Sequence, residues 1–244
     1  MSMSRQPFLE MPVHLLSVVL SDLDGMQTLG SAILSHPSFY AAYKEQSTNI
    51  ITRIVQNQIP VDLMPYAISV YEAARVDHRN PDDVMHLLLR FFSDVALPPS
   101  LMLLPRHLEP AVAHNISKTH SAVEQFSSDF VDDILPLAQD QLGLGRPNYD
   151  EASADEVFRI RRAFYRFQLY CNLTFRDHSD LRRSKQQRAN LHSYLQIYFF
   201  GYFSPWVNEQ LACIHDYLER VLSIGTLLHL SAVPSSADAN LTSI

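Results

Sequence analysis

Acid–histidine groups are the residues of this sequence whose types and spacing could perform acid–base chemistry. Three such groups occur: Asp82-Asp83 with His86, Asp177 and Asp180 around His178, and His215-Asp216. A carboxylate beside an imidazole can orient it as a general base. None of the three groups accompanies a nucleophile motif, a glycine-rich phosphate loop or a His-Glu-x-x-His sequence. We therefore predict that the protein is not an enzyme.

Metal-ligand spacing is also missing from the sequence. Cys171 and Cys213 each lie in an apolar helical pattern without a second Cys or His at ligand spacing. The acidic run from Asp129 to Asp133 lacks a second cluster that could share an ion, so we interpret it as a solvated helix face. We predict no metal site and no cofactor, and we expect both cysteines to be reduced core residues.

The basic segment, residues 159–188, holds nine basic and two acidic residues in a chain whose net charge is −7. Its candidate patch consists of Arg159, Arg162, Arg166, Arg182, Arg183, Lys185 and Arg188. With Tyr165, Tyr170 and Phe175 available for stacking, the segment could contact nucleic acid. Alternatively, the arginines cover apolar surface with their stems or pair with acids inside the fold. The acidic overall charge disfavours nucleic acid. If the segment binds a partner, we expect an acidic protein segment rather than nucleic acid.

The apolar stretch FLEMPVHLLSVVLSDL, residues 8–23, could form a core helix or an interaction surface. Its candidate partner-binding residues are Met11, Pro12, Leu15, Leu16, Val19, Leu20 and Leu23. Pro12 suits the start of a helix, and apolar residues recur three and four positions apart behind it. The pairs Leu15-Leu16 and Val19-Leu20 spread these residues over more than one stripe. A docking helix needs one set for its own fold and a second set exposed, so we predict that this helix is partly an interface.

The whole chain is predicted to be all-α. It contains 6 glycines and 14 prolines and few runs of alternating polarity, a composition typical of helices interrupted by proline. Beyond the first helix, predicted helices cover 26–35, 37–45, 48–58, 61–77, 81–95, 110–141 and 184–203. Asn80 is the expected cap of one of them. Residues 97–110 are expected to form an irregular crossing, and residues 143–147 a loop.

Two helices of the second half carry their own signals. Ser153 and Glu156 have the spacing of a capping box. The apolar stripe behind them is Val157, Ile160, Phe164, Phe167 and Cys171. Ser204-Pro205 is predicted to start the last long helix, whose stripe is Val207, Leu211, Ile214, Leu218 and Val221. The residues from 232 onward have no apolar period and are expected to form a flexible tail.

The beginning of the chain resembles the F-box-like segment that opens many filamentous-fungal proteins without an assigned activity. The resemblance is carried by Met11-Pro12, Leu15-Leu16, Val19-Leu20, Leu23, Leu29, Ile33-Leu34, His36-Pro37, Phe39-Tyr40 and Ala42-Tyr43. Residues 161–171 and 204–217 are similar to other segments of such proteins. Met11 and His14 stand where F-box segments usually have leucine and an acid. The resemblance implies a three-helix module, whose known role is to dock onto the Skp adaptor of cullin-type ubiquitin ligases.

From these features we predict an F-box-like three-helix segment (1–59) packed on a larger irregular helical body (60–231), followed by a flexible tail (232–244). The predicted function is that of an adaptor or scaffold subunit, which docks the Skp adaptor or subunits of a larger complex. The alternative is a helical nucleic-acid or chromatin-associated subunit that uses the basic segment. No apolar run is long enough for a membrane span and no secretion signal is evident, so we expect an intracellular protein, nuclear or cytoplasmic.

Overall fold

The computed structural model describes residues 11–77, 80–101, 105–141, 152–174, 193 and 195–232. Within these ranges all regular structure is helical and no strand occurs, which confirms the all-α prediction. The α-helices are α1 (Val13–Ser21), α2 (Met26–Ser35), α3 (Pro37–Gln58), α4 (Met64–Ala73), α5 (Pro81–Ala96), α6 (Pro110–Gln141), α7 (Ala154–Thr174) and α8 (Pro205–Ala232). In the same ranges, no helix combines the length and the apolar character that crossing a membrane requires.

The first three helices lie close to their predicted boundaries. A kink replaces the predicted break near residue 46, because Gln46 has non-helical dihedral angles (φ −130°, ψ 30°) inside α3. His36 caps α3, and its Nδ1 accepts a hydrogen bond from the Ser38 backbone N–H at 3.1 Å. Pro37 occupies the first turn, where its missing N–H leaves no bond unmade. An F-box-like arrangement of these helices is not confirmed by their presence and stays a prediction.

The second half of α3 turns one broad face to the protein interior, whereas Arg53 and Asn57 are exposed. Its residues Ile50, Ile51, Ile54 and Val55 are completely buried. Helices α1, α2 and α6 all pack against α3. The buried side chains form one continuous core that includes residues of the N-terminal helices and of the helices that follow them. The predicted N-terminal segment and the helical body therefore share this core.

Two polar side chains of α3 fix its position against the following chain. Thr52 Oγ1 accepts a hydrogen bond from the Leu108 backbone N–H at 2.9 Å. The Gln58 amide joins α6 twice: its Oε1 accepts a bond from Ser117 Oγ at 2.7 Å, and its Nε2 donates to Ser121 Oγ at 3.2 Å. An unpaired buried polar group costs about 1–3 kcal/mol, so these bonds favour one relative position of α3 and α6.

Helix α4 is shorter than the predicted helix over 61–77. A 3₁₀ turn, Val61–Leu63, comes first, and the α-helix begins at Met64 and ends at Ala73. Pro65 explains the start, because proline lacks a backbone N–H and fits only the first turn of an α-helix. A second 3₁₀ turn, Pro99–Leu101, lies in the predicted irregular crossing.

Two predicted helix caps are confirmed. Asn80 Oδ1 accepts a hydrogen bond from the Asp82 backbone N–H at 3.1 Å at the start of α5. The capping box at the start of α7 is reciprocal, since Glu156 Oε2 accepts a bond from the Ser153 N–H at 2.8 Å and Ser153 Oγ accepts one from the Glu156 N–H at 3.3 Å. The Ser153 hydroxyl, which donates to Glu156 Oε2 at 2.7 Å, and the Ser153 backbone N–H together lower the pKa of the Glu156 carboxyl. Local spacing was sufficient for both predictions.

The predicted apolar stripes of α7 and α8 lie only partly in the core. Buried members are Phe164, Leu211 and Ile214, and half-buried members are Val157, Ile160, Phe167, Cys171, Val207, Leu218 and Val221. The buried residues of α7 are Ala163, Phe164, Tyr165, Arg166, Leu169 and Leu173. This wider buried surface arises because α4, α6 and α8 all pack against α7.

Several predictions fall on residues at the edges of the described ranges. The loop at 143–147, the tail after Ala232 and most of the predicted helix 184–203 lie outside the described residues. The described end of that predicted helix forms a π-helix, Leu195–Phe200. The predicted start of the last helix is confirmed, because α8 begins at Pro205.

Both cysteines are free, as predicted, but the prediction that they are core residues is wrong. Cys171 is half-buried, and burial raises the pKa of its thiol. Cys213 is exposed. Leu211 and Ile214 define the inward side of α8, and position 213 falls on a different side of the helix.

We predict that the two thiols of the native protein react with a disulfide-exchange reagent in two phases. Cys213 should react fast because it is exposed, and Cys171 should react slowly until a denaturant is added. Replacement Cys213→Ser should remove the fast phase, and Cys171→Ser should leave it intact. Equal reaction rates of the two thiols in the native protein would contradict the described burial.

Candidate interaction surface

Helix α1 is apolar on its buried side and also on its exposed side. Leu16 and Leu20 are each 1% exposed, whereas Leu15, Val18 and Val19 are 41%, 58% and 40% exposed. Residues three and four positions apart are neighbours on an α-helix, so Leu15, Val18 and Val19 form one continuous exposed surface, and Leu16 and Leu20 form the buried surface beside it. We call Pro12, Leu15, Val18 and Val19 the outer face of α1, since Pro12 is exposed at its beginning.

Packing against α3 determines which side of α1 points inward. Ser17 lies on the buried side, and its Oγ donates to the Val13 carbonyl at 3.0 Å and approaches the Ala42 carbonyl of α3 at 3.5 Å. At the end of α1, Asn57 Nδ2 donates to the Ser21 carbonyl at 3.3 Å. Helix α1 itself contains no acidic, lysine or arginine residue. Its orientation therefore depends on apolar packing and on these neutral hydrogen bonds.

The structure divides the predicted partner-binding residues into three groups. Pro12, Leu15 and Val19 are exposed, Met11 and Leu23 are half-buried, and Leu16 and Leu20 are buried. Leu16 and Leu20 are a correction to the predicted set, because side chains held in the core cannot reach a partner while the helix keeps its place.

Val18 is the exposed residue that the sequence analysis missed on this helix. Its spacing from Leu15, three positions, would have placed it on the same side. Outside α1, the N-terminal helices also expose Leu34 on α2, at 87%, and Tyr40 on α3.

The described part of the basic segment does not form a basic surface. Arg159 is exposed, Arg161 and Arg162 are half-buried, and Arg166 is completely buried. The patch residues Arg182, Arg183, Lys185 and Arg188 lie outside the described residues. Arg166 is therefore removed from the predicted patch, and the interpretation that arginines are used inside the fold holds for it.

Arg166 joins α7 to the beginning of α8. Its Nη1 donates to the Val207 carbonyl at 2.5 Å, and its Nη2 donates to Asn208 Oδ1 at 2.9 Å. The guanidinium carbon also lies 3.9 Å from the centroid of the Phe203 ring, a cation–π contact. Burial lowers the pKa of Arg166 to about 10, so the side chain is still charged at neutral pH. Neutral oxygens and an aromatic face compensate this buried charge.

A second buried polar group links α6 to α7. His120 Nδ1 lies 2.8 Å from Tyr165 Oη, and both side chains are completely buried. His120 Nε2 is 3.5 Å from Glu124 Oε1, and Arg161 Nη2 is 3.2 Å from the same oxygen. Burial lowers the pKa of the His120 imidazole and raises that of the Tyr165 hydroxyl. Tyr165 is therefore unavailable for stacking on bases, contrary to the prediction.

In the described residues, the remaining stacking candidates do not form a base-binding surface, and the acid–histidine groups do not form a catalytic site. Tyr170 is half-buried, and Phe175 lies outside these residues, as does the group around His178. Asp83 and His86 line an open pocket of about 490 Å³ with Glu72, Arg75, Val76, Leu87 and Arg90. This lining contains no hydroxyl or thiol that could act as a nucleophile. His215 and Asp216 are in contact and exposed on α8.

A second apolar surface lies between α5 and the residues around the π-helix. It is a groove of about 550 Å³ lined by Leu89, Phe92, Ser93, Ala96, Ile197, Tyr198, Gly201 and Tyr202. Phe92 and Tyr202 stack with ring centroids 4.1 Å apart, and Tyr202 Oη donates to the Phe92 carbonyl at 2.9 Å. This groove could not be predicted from the sequence, because its two walls are about a hundred residues apart in the chain.

Comparison with known proteins found no matching family model, no matching curated protein and no matching solved structure. The F-box-like resemblance therefore depends on the residues quoted above, and the outer face of α1 is the site that the geometry itself adds.

We predict that His120 makes the stability of the protein fall in mild acid. The unfolded imidazole has a pKa of about 6.5, and the folded one is lower, so the unfolded state binds the proton first. The free energy of unfolding should decrease as the pH falls below about 6.5 towards the folded pKa. Urea unfolding between pH 7.5 and pH 5 measures this. His120→Gln should reduce the slope, whereas His114→Gln, at an exposed position of α6, should keep it. Equal slopes for the two variants would refute the role of His120.

We predict that Arg166→Ala destabilises the protein by about 2–5 kcal/mol, because it leaves the Val207 carbonyl and Asn208 without their donor and opens a cavity. Arg166→Lys should also destabilise, since an ammonium cannot make both bonds and the ring contact together. Arg159→Ala is the matched control on α7 and should change the free energy by less than about 0.5 kcal/mol. Urea denaturation of the four proteins decides, and similar losses for residues 159 and 166 would contradict the assignment.

Proposed function

We propose that the protein is a non-catalytic interaction subunit that docks a protein partner through the outer face of α1. The observation that supports this proposal is that α1 has apolar side chains both on its buried side and on its exposed side. Leu16 and Leu20 hold the helix in the core, and Leu15, Val18 and Val19 stay in contact with water. A helix that served the core alone would gain from polar residues at these outer positions, which are neighbours on one surface.

Burial of the outer face by a partner would release free energy, as burial of the apolar centre of a protein–protein interface does. Complete burial of a valine or leucine side chain contributes about 1.5–3 kcal/mol relative to full exposure. Three side chains that are already half exposed could therefore supply several kcal/mol to a complex, before the cost of association is subtracted. The absence of charged residues within Val13–Ser21 favours an apolar partner surface, because no charge of α1 would have to be desolvated.

The resemblance of residues 11–43 to F-box-like segments makes the Skp adaptor the first partner to test. In this proposal the N-terminal helices bind that adaptor, and the helical body carries a second surface for another protein. The groove between α5 and the π-helix, with Tyr202 at its edge, is the candidate for the second surface. Such a two-surface protein is an adaptor or scaffold.

The alternative function as a nucleic-acid or chromatin-associated subunit gains no support from the described residues. Of the arginines of the basic segment in these ranges, Arg159 is exposed, whereas Arg166 is buried and its guanidinium donates to the Val207 carbonyl. Salt dependence separates the two functions. Apolar docking should be almost independent of salt, whereas phosphate contacts weaken steeply as the salt concentration rises.

We predict that Val18→Glu abolishes partner capture without unfolding the protein. The substitution places a charge on an exposed side chain, so it should weaken the complex at least about tenfold while the melting temperature changes little. The measurement is binding to the purified Skp adaptor, with mass spectrometry of proteins captured from a fungal extract beside it.

Two variants serve as controls for that experiment. Leu101→Glu changes an apolar residue that is as exposed as Val18 and lies outside the N-terminal helices, and it should bind normally. Leu16→Glu buries an unpaired charge in the core and should unfold the protein. Capture that is the same for Val18→Glu and the unchanged protein would show that the outer face is not the interface.

A further inference from the structure

Helix α8 carries three metal-ligand side chains on adjacent positions of its surface. A ring nitrogen of His215 and carboxylate oxygens of Asp216 and Glu219 all lie within 4.8 Å of one another. His215 and Glu219 are four residues apart and so stand one above the other, and Asp216 stands beside them. Glu219 thus adds a third possible ligand to the acid–histidine pair His215-Asp216.

The spacing of these atoms is close to that of ligands around one ion. Zn²⁺ binds nitrogen and oxygen ligands at about 2.0–2.2 Å, so two of its ligands are at most about 4.4 Å apart. His215 Nδ1 and Asp216 Oδ1 are already 3.2 Å apart. All three side chains are exposed, so they have room to rotate about their side-chain bonds when an ion binds.

The three side chains are open to solvent, and His215 also contacts a neighbouring aromatic ring. The His215 ring packs edge-on against Phe167 of α7, with centroids 6.3 Å apart, which limits its rotation. The neighbouring cation Arg220 lies over the Tyr217 ring at 5.7 Å from its centroid, a position where it contacts an aromatic face. Because the three ligands come from one helix surface, an ion bound there would keep water in its remaining coordination positions.

We propose that His215, Asp216 and Glu219 form a surface site for one divalent transition-metal ion of the Zn²⁺ type. The imidazole selects this class, because Mg²⁺ and Ca²⁺ prefer ligand sets made of oxygen. The two carboxylates balance the charge of the ion. The site lies on the last helix and is independent of the outer face of α1, so this proposal does not rest on the proposed function.

The test is calorimetric titration of the full chain, without an affinity tag, with Zn²⁺, and with Co²⁺ to observe the visible spectrum of the bound ion. His215→Ala should weaken the tightest site at least about tenfold, and Glu219→Gln should weaken it measurably while it preserves the shape of the side chain. His114→Ala, which removes an exposed histidine from α6, should leave the tightest site unchanged. An excess of Mg²⁺ should not displace the ion.

Two results would overturn the proposal. If His215→Ala and His114→Ala titrate like the unchanged protein, the ion is bound elsewhere. If Glu219→Gln has no effect or Mg²⁺ displaces the ion, the three-ligand transition-metal site is wrong. Circular dichroism of each variant confirms that α8 is retained, which the exposure of these residues leads us to expect.

Discussion

The burial of one broad face of the second half of α3 is the constraint on which the other packing depends. Ile50, Ile51, Ile54 and Val55 are surrounded on all sides, so the surfaces that α1, α2 and α6 present to α3 must be apolar and complementary in shape. The hydrogen bonds of Thr52 and Gln58 then fix one relative position. The orientation of α1, and therefore the identity of its outer face, follows from its contact with α3.

Local features of the fold could be predicted from the sequence, because they depend on residues a few positions apart. The Asn80 cap and the capping box of Ser153 and Glu156 are examples. The inward side of α1 could not be predicted in this way. Its two sides are similarly apolar, and the choice between Leu15 and Leu16 is made by α3, a separate helix that contacts α1 at Ala42, 25 positions beyond Ser17.

The basic segment shows a second reason why surface charge cannot be predicted from sequence patterns alone. A count of charges treats every arginine as a surface residue, whereas the partners of Arg166 are groups at the beginning of α8 that no local pattern connects to α7. Arg161 and Arg162 likewise reach Glu124 on α6 and Gln210 on α8. Helix α7 is thus held by polar contacts on two sides.

The two-sided character of α1 also separates two kinds of evolutionary pressure on adjacent codons. A change at Leu16 or Leu20 alters the core, so selection for folding alone would retain apolar residues there. A change at Val18 leaves the core intact, and a polar residue at that position would be tolerated by folding. Persistence of apolar residues at 15, 18 and 19 among descendants of this gene would therefore record selection by a binding partner, and their drift would record its loss.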